Sequence, residues 1–86
     1  MKVRFHRNFE RNYQKLPKKE QGRFKERINL FTRDEFDPLL NNHPLYGKYK
    51  GYRSINITGN LRAIYKLETQ EVRIFIAVGS HGELYK

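Results

Sequence analysis

Apolar residues recur along this chain with two different periods, and the change of period divides it into halves. Val3 and Phe5 alternate with charged neighbours over a few residues, the pattern of a short strand. The spacing then lengthens. Phe9, Tyr13 and Leu16 fall at i, i+4 and i+7, one stripe of a helix for which Asn8 is a suitable N-cap. Pro17 disfavours helical angles at Leu16 and so ends that helix, and it suits the first position of the next. A second helix over residues 17–34 repeats the stripe with Phe24, Ile28 and Phe31, while Gly22 weakens it by about 1 kcal/mol relative to alanine. Residues 35–51 hold two prolines, two asparagines and two glycines, and read as loop.

After that loop the period becomes two. Ile55 and Ile57 alternate with Ser54, Asn56 and Thr58. Leu61, Ala63, Tyr65 and Leu67 alternate with Arg62, Ile64 and Lys66, and Val72, Ile74, Ile76 and Val78 with Arg73, Phe75 and Ala77. Gly59 and Asn60 supply a hairpin turn between the first two runs. The predicted architecture is α+β in the order β-α-α-β-β-β, a helical hairpin packed on one face of a small, mainly antiparallel sheet. With 86 residues, 1–86 is expected to be a single domain. The sheet face away from the helices would then display Ser54, Asn56, Arg62, Lys66, Arg73 and Phe75. Such a face is either a cationic, hydrogen-bonding surface with a function or the ordinary solvated side of an antiparallel sheet.

Composition narrows the choice of partner. Eighteen Lys and Arg stand against nine Asp and Glu, a net charge of +9 that favours polyanions, nucleic acid first and anionic membrane second. Eleven of the basic and four of the acidic residues lie in positions 1–34, so the helical hairpin reads as an electrostatic anchor whose outer face carries Lys15, Lys18, Lys19, Arg23, Lys25 and Arg27. The chain has no cysteine, which excludes a disulfide framework, a thiolate zinc site and a cysteine nucleophile. No apolar run approaches the about 20 residues of a membrane span, and the basic start lacks the apolar stretch of a signal peptide. A soluble, cytoplasmic protein without membrane association is expected.

Chemistry is expected after residue 34. His43 in the loop, Arg62 on the middle strand of the meander and His81 beyond the last strand are the set suited to acid–base work. Histidine titrates near neutrality, so a pair can supply a base and an acid, and arginine stays charged and grips phosphate oxygens in bidentate fashion. Cleavage of RNA asks for those groups: one takes the 2′-OH proton, a cation neutralises the phosphate and another group protonates the leaving 5′-oxygen. No metal or other cofactor is called for. His6 receives no role. Glu35 and Asp37 share a loop without a histidine at ligand spacing, so no metal site is expected, and Asp34 and Glu35 read as groups that solvate a helix end. Tyr46, Tyr49 and Tyr52 are interleaved with Lys48, Lys50 and Arg53, a pattern that can stack bases and contact phosphates or can pack the loop on the core. Tyr85 is open to the same two readings.

Three stretches carry a family resemblance: His43-Pro44-Leu45-Tyr46-Gly47 with Lys50-Gly51-Tyr52-Arg53, then Ile64-Tyr65-Lys66, and finally Gly79-Ser80-His81 through Leu84-Tyr85. In this order they resemble the RelE/ParE superfamily of bacterial toxin–antitoxin toxins, and most closely the YafQ-like branch of RelE-type mRNA interferases. The resemblance implies a small toxin that cuts messenger RNA in the ribosomal A site and is held inactive by an antitoxin. It implies His81 as general acid, His43 as base or substrate-positioning group, Arg62 as holder of the scissile phosphate and Tyr85 as a base-stacking ring. Lys50 and Arg53 fall on the same motifs, and with Asn56 and Asn60 they would contact RNA. Two positions depart from the branch: Asn56 stands where close relatives carry histidine and Asn60 where they carry aspartate. Asparagine can hydrogen-bond RNA but cannot shuttle a proton near pH 7. The alternative reading is a non-catalytic or degenerate toxin that binds its target, as ParE-type gyrase inhibitors do, or an RNA-binding module. An acidic cognate antitoxin is the expected partner beside mRNA and the ribosome, since a chain of this charge offers a site for a wrapping helix or an added strand.

Overall fold

In a computed structural model, which describes residues 1–85, the first strand pairs with the last. Strand β1 (Lys2–Phe5) runs parallel to β5 (Val72–Ser80), which continues antiparallel through β4 (Leu61–Leu67) and β3 (Arg53–Asn56) to a two-residue strand β2 (His43–Pro44). The sheet order is therefore β1-β5-β4-β3-β2. Helices α1 (Arg7–Gln14) and α2 (Lys18–Arg33) connect β1 to the meander, and one-turn α3 (His81–Leu84) follows β5. The expected α+β order holds, with β2 and α3 as additions. Among the described residues no helix is long and apolar enough to cross a membrane.

The helix boundaries shift for local reasons. His6, not Asn8, caps α1: its ring Nδ1 accepts the Asn8 backbone N–H at 3.0 Å. The Asn8 amide instead donates to the Ile76 carbonyl at 2.8 Å, tying α1 to the sheet. Pro17 sits at the N-cap of α2, one residue before the expected place. Gly59 and Asn60 do not form a two-residue hairpin. The β3–β4 link is wider and is held by Thr58, whose hydroxyl accepts the N–H groups of Asn60 and Leu61 at 3.3 and 3.0 Å.

The main core lies between the helices and one sheet face, and contains Phe9, Phe24, Phe31, Leu40, Ile55, Ile57, Leu61, Ala63, Tyr65, Phe75 and Val78. Phe75 is its hub, with the rings of Phe5, Phe9, Phe24, Phe31 and Tyr65 at centroid distances of 5.1 to 6.0 Å. This overturns the placing of Phe75 and Arg73 on the face away from the helices. The cause is a register shift: Tyr65 pairs with Phe75 but Ile64 pairs with Ala77, so Ile76 has no partner on β4. An extra residue on one strand reverses the in–out alternation beyond it. Arg73 and Phe75 thus face the helices, and so does Val78 past the bulge.

The other face is also partly covered. Leu45, Ile64, Ala77 and Leu84 are buried there beneath residues 45–52 and α3, with Tyr49, Tyr52, Ile76 and Tyr85 at the margin. The polar face expected from the alternation is reduced to Ser54, Asn56, Arg62 and Lys66, and Lys66 lies over the Tyr52 ring at 5.4 Å. On the helices, Lys15, Lys18, Lys19, Arg23 and Lys25 are exposed as expected, whereas Arg27 is half-buried and reaches the Ile57 carbonyl at 3.4 Å.

Candidate active site

On the face away from α1 and α2, a cleft of about 450 Å³ is lined by Asn41, His43, Pro44, Leu45, Tyr46, Ser54, Arg62, His81 and Tyr85. Four of the residues singled out in the sequence, His43, Arg62, His81 and Tyr85, meet there. Each is brought by a different device.

His43 begins β2 and pairs with Ser54 on β3. Its ring Nδ1 lies 2.8 Å from the carbonyl oxygen of Asn41. A carbonyl can only accept, so the contact assigns the proton to Nδ1, and in the neutral form of the ring the lone pair is then on Nε2, which has no hydrogen bond among the described residues. Asn41 is able to aim its carbonyl in this way because it adopts the left-handed conformation, φ 45° and ψ 48°, directly after the 3-10 turn Pro38–Leu40. Asparagine is among the few non-glycine residues that visit this region readily.

Arg62 comes from the start of β4, opposite Asn56 on β3 and Gly79 on β5. Its Nη1 donates to the carbonyls of Thr58 at 2.9 Å and Leu61 at 3.3 Å, which leaves the rest of the guanidinium fork unengaged among the described residues. His81 is the first residue of α3, not part of a loose tail. Ser80 caps that turn in both directions, Glu83 N–H to Ser80 Oγ at 3.1 Å and Ser80 N–H to Glu83 Oε1 at 2.8 Å. The His81 backbone N–H donates to the Asn60 carbonyl at 3.2 Å. One helical turn on, the Tyr85 ring lies against the imidazole, centroids 4.7 Å apart, and meets Tyr49 edge-on at 5.9 Å. His81 is thereby held at the rim rather than left to swing.

The remaining expected RNA contacts are dispersed. Asn60 is at the rim, engaged through its backbone. Asn56 is beside Arg62 but opens onto a neighbouring pocket of about 260 Å³ at the β3 edge, with Arg23, Arg27 and Leu39. Lys50 is exposed at the end of the 3-10 turn Gly47–Tyr49 and does not line the cleft. Arg53 points to the helix side: its Nε donates to Asn42 Oδ1 at 2.7 Å and its guanidinium lies over the Phe36 ring at 5.3 Å. Sequence reasoning passed over Asn41 and gave Ser54 no role. Ser54 is fully buried in the cleft floor, and neither its Oγ nor Asn56 Oδ1 makes a hydrogen bond among the described residues. Its cue was its place in register with the histidine, which shows only once β2 is known.

Behind the cleft, on the helix side, lies a polar cluster that the sequence did not foretell. Glu35 turns inward instead of solvating a helix end. It pairs with Arg73 through Nη2 to Oε1 at 3.0 Å and Nε to Oε2 at 3.2 Å, both side chains being nearly buried. The Tyr65 hydroxyl donates to Glu35 Oε2 at 2.6 Å and accepts from Asn42 Nδ2 at 2.7 Å. Burial pushes the Glu35 carboxyl upward, but the bonds from Arg73 and Tyr65 and the charges of Arg73 and Arg53 outweigh it and hold the group below its ordinary value. Burial and then the Glu35 bond push the Tyr65 hydroxyl well above the usual phenol range.

A family model described as bacterial toxin of type II toxin–antitoxin system, YafQ, matches residues 1–86. The chain belongs to the YafQ toxin family. It is thus a type II toxin–antitoxin toxin. Structural likeness runs the same way. The crystal structure of YafQ from E. coli strain BL21(DE3) matches with a TM-score of 0.83 at 22% identity, over 98% of this chain and 97% of that one. YafQ in the E. coli DinJ–YafQ toxin–antitoxin complex gives 0.80 at 23% identity over 98% and 96%. A YoeB/ParE toxin from Agrobacterium tumefaciens gives 0.77 at 24% identity over 94% and 99%. At these identities the likeness is one of fold. A search of curated proteins returned no match. The YafQ-family fold seen here leaves one concave site in which both histidines on the recognised motifs and an arginine converge.

Proposed function

We propose that this YafQ-family toxin is a ribosome-dependent endoribonuclease that cleaves mRNA by metal-independent acid–base chemistry in the His43–Arg62–His81 cleft. The observation that carries the reading is the 2.8 Å approach of His43 Nδ1 to the Asn41 carbonyl: an Nδ1–H donated there leaves Nε2 to accept a proton, in a cleft shared with a second histidine and an arginine. His43 Nε2 takes the 2′-OH proton, O2′ attacks phosphorus, and the bond from phosphorus to O5′ breaks as His81 protonates O5′. The products are a 2′,3′-cyclic phosphate and a 5′-hydroxyl. The free part of the Arg62 fork neutralises the phosphorane. Tyr85 and the exposed Tyr46 offer ring faces to the bases on either side. Asn56 and Asn60 contact RNA from beside the cleft, Lys50 steers the backbone from outside it, Arg53 is taken up by Asn42 and Phe36 and is left out of the contact set, and the cationic outer face of α2 anchors on ribosomal RNA.

Inhibition belongs to a cognate antitoxin, a reading supported by the toxin–antitoxin complex that E. coli YafQ forms with DinJ. With +9 on this chain, an acidic segment is the partner its charge favours. The test is toeprinting on translating ribosomes supplied with purified protein. New 3′ ends within A-site codons, lost with His81→Ala and with the double variant His43→Ala/His81→Ala, are expected. Intact message with folded wild type would favour a toxin that only binds its target.

A further inference from the structure

His43 Nδ1 meets a backbone carbonyl carried on left-handed backbone, and the structure contains a device that holds it there. Left-handed backbone at a non-glycine residue persists where the surroundings over-determine it. The exposed Asn41 side chain makes no hydrogen bond among the described residues. Its two neighbours are the fixed points. Leu40 is wholly buried in the main core. Asn42 is clamped by three bonds: its Nδ2 donates to Tyr65 Oη at 2.7 Å and to the Glu35 carbonyl at 3.0 Å, and its Oδ1 accepts from Arg53 Nε at 2.7 Å. Tyr65 is in turn locked by Glu35, and Glu35 by Arg73. Stability alone is a weak reason for such a cluster, since a buried ion pair is often matched or bettered by apolar residues of the same shape. The cluster lies on the helix side of the sheet, away from the cleft. Its connection to the cleft runs through the short backbone from Asn42 to Asn41 and His43.

We propose that Asn42 and Tyr65 are positioning residues that hold the Asn41 carbonyl against His43 Nδ1 and so keep Nε2 free as the base. The catalytic consequence rests on the function proposed above; the tautomer consequence does not.

Two readouts separate them. The first is ¹⁵N NMR of the His43 ring in its neutral form. Wild type is expected to show the Nδ1–H tautomer, and Tyr65→Phe and Asn42→Ala a mixture with the Nε2–H form. The second is cleavage of ribosome-bound message. Each variant is expected to lower kcat by roughly tenfold with KM unchanged, a fraction of what a general base supplies. Neither should lower it further in a His43→Ala background, because a residue that acts through His43 has nothing left to position. Tyr65→Phe keeps the core ring and carries the test if Asn42→Ala does not fold. An unchanged tautomer in the folded variants would overturn the proposal, and so would losses additive with His43→Ala. A shifted tautomer together with wild type that cleaves nothing would uphold the positioning device and reject the ribonuclease.

Discussion

The His81 imidazole rests against the Tyr85 ring one helical turn later, with centroids 4.7 Å apart and planes inclined by 50°. A single side chain therefore both fixes His81, the proposed general acid, and presents a stacking surface at the cleft. Tyr85→Phe keeps the ring and is expected to retain near-normal cleavage. Tyr85→Ala removes both contributions. Stacking is worth about 1–3 kcal/mol per base, so KM should rise by roughly 5- to 150-fold, and kcat should fall as His81 loses its support. Steady-state kinetics on ribosome-bound message separates the two effects.

His81→Ala should reduce kcat by about 10²–10⁴-fold, the contribution of a positioned acid. Thermal stability should barely change, because His81 is exposed and α3 is capped by Ser80 and Glu83. Loss of growth inhibition with an unaltered melting curve is the expected pair of results. Normal toxicity from the folded variant would remove His81 from the mechanism.

Phe75→Ala should cost about 3–5 kcal/mol, as for a large ring removed from a packed core. Had Phe75 lain on the solvated face, as simple alternation has it, the change would be nearly neutral. Urea denaturation discriminates between the two placements without any activity assay.

Acid should weaken the fold through Glu35. Its carboxyl is held below the ordinary 4.5 by Arg73, Tyr65 and the nearby charges against the opposing effect of burial. A depressed folded value means that the unfolded chain binds the proton more tightly, so stability is fully present above about pH 4.5 and is lost as pH falls through the folded value. Glu35→Gln should be less stable at neutral pH, where Arg73 loses its partner, and should show a flatter decline below pH 4.5. Chemical denaturation from pH 3 to 7, about the range in which carboxylates titrate, measures both.

The element order was legible because the helical stripes and the alternating runs differ in period, and each apolar set has a core to face. The face of β5 was not legible. Ile74 to Val78 is apolar on both sides because the helices cover one face and residues 45–52 with α3 cover the other. That removed the polar contrast by which a bulge at Ile76 could be seen. Strand β2 is two residues long, too short to show a period. His43, Arg62 and His81 stood out because their side chains have few alternatives in acid–base and phosphate chemistry, whereas Tyr85 was singled out by the family resemblance. Asn41 acts through its carbonyl, which every residue possesses, and Glu35 acts through Arg73, which lies 38 positions away. Arg53 carried its own warning: it shares the strand parity of Ile55 and Ile57, and so faces the helices.

The chemistry of the cut ends tests the central claim most directly. Message cleaved on the ribosome by wild-type protein should carry 2′,3′-cyclic phosphate on the upstream fragment and a 5′-hydroxyl on the downstream one, because in the proposed mechanism O2′ is the nucleophile and His43 its base. Fragments ending in a 3′-hydroxyl and beginning with a 5′-phosphate would mean that water attacked instead, and would contradict the His43–Arg62–His81 mechanism.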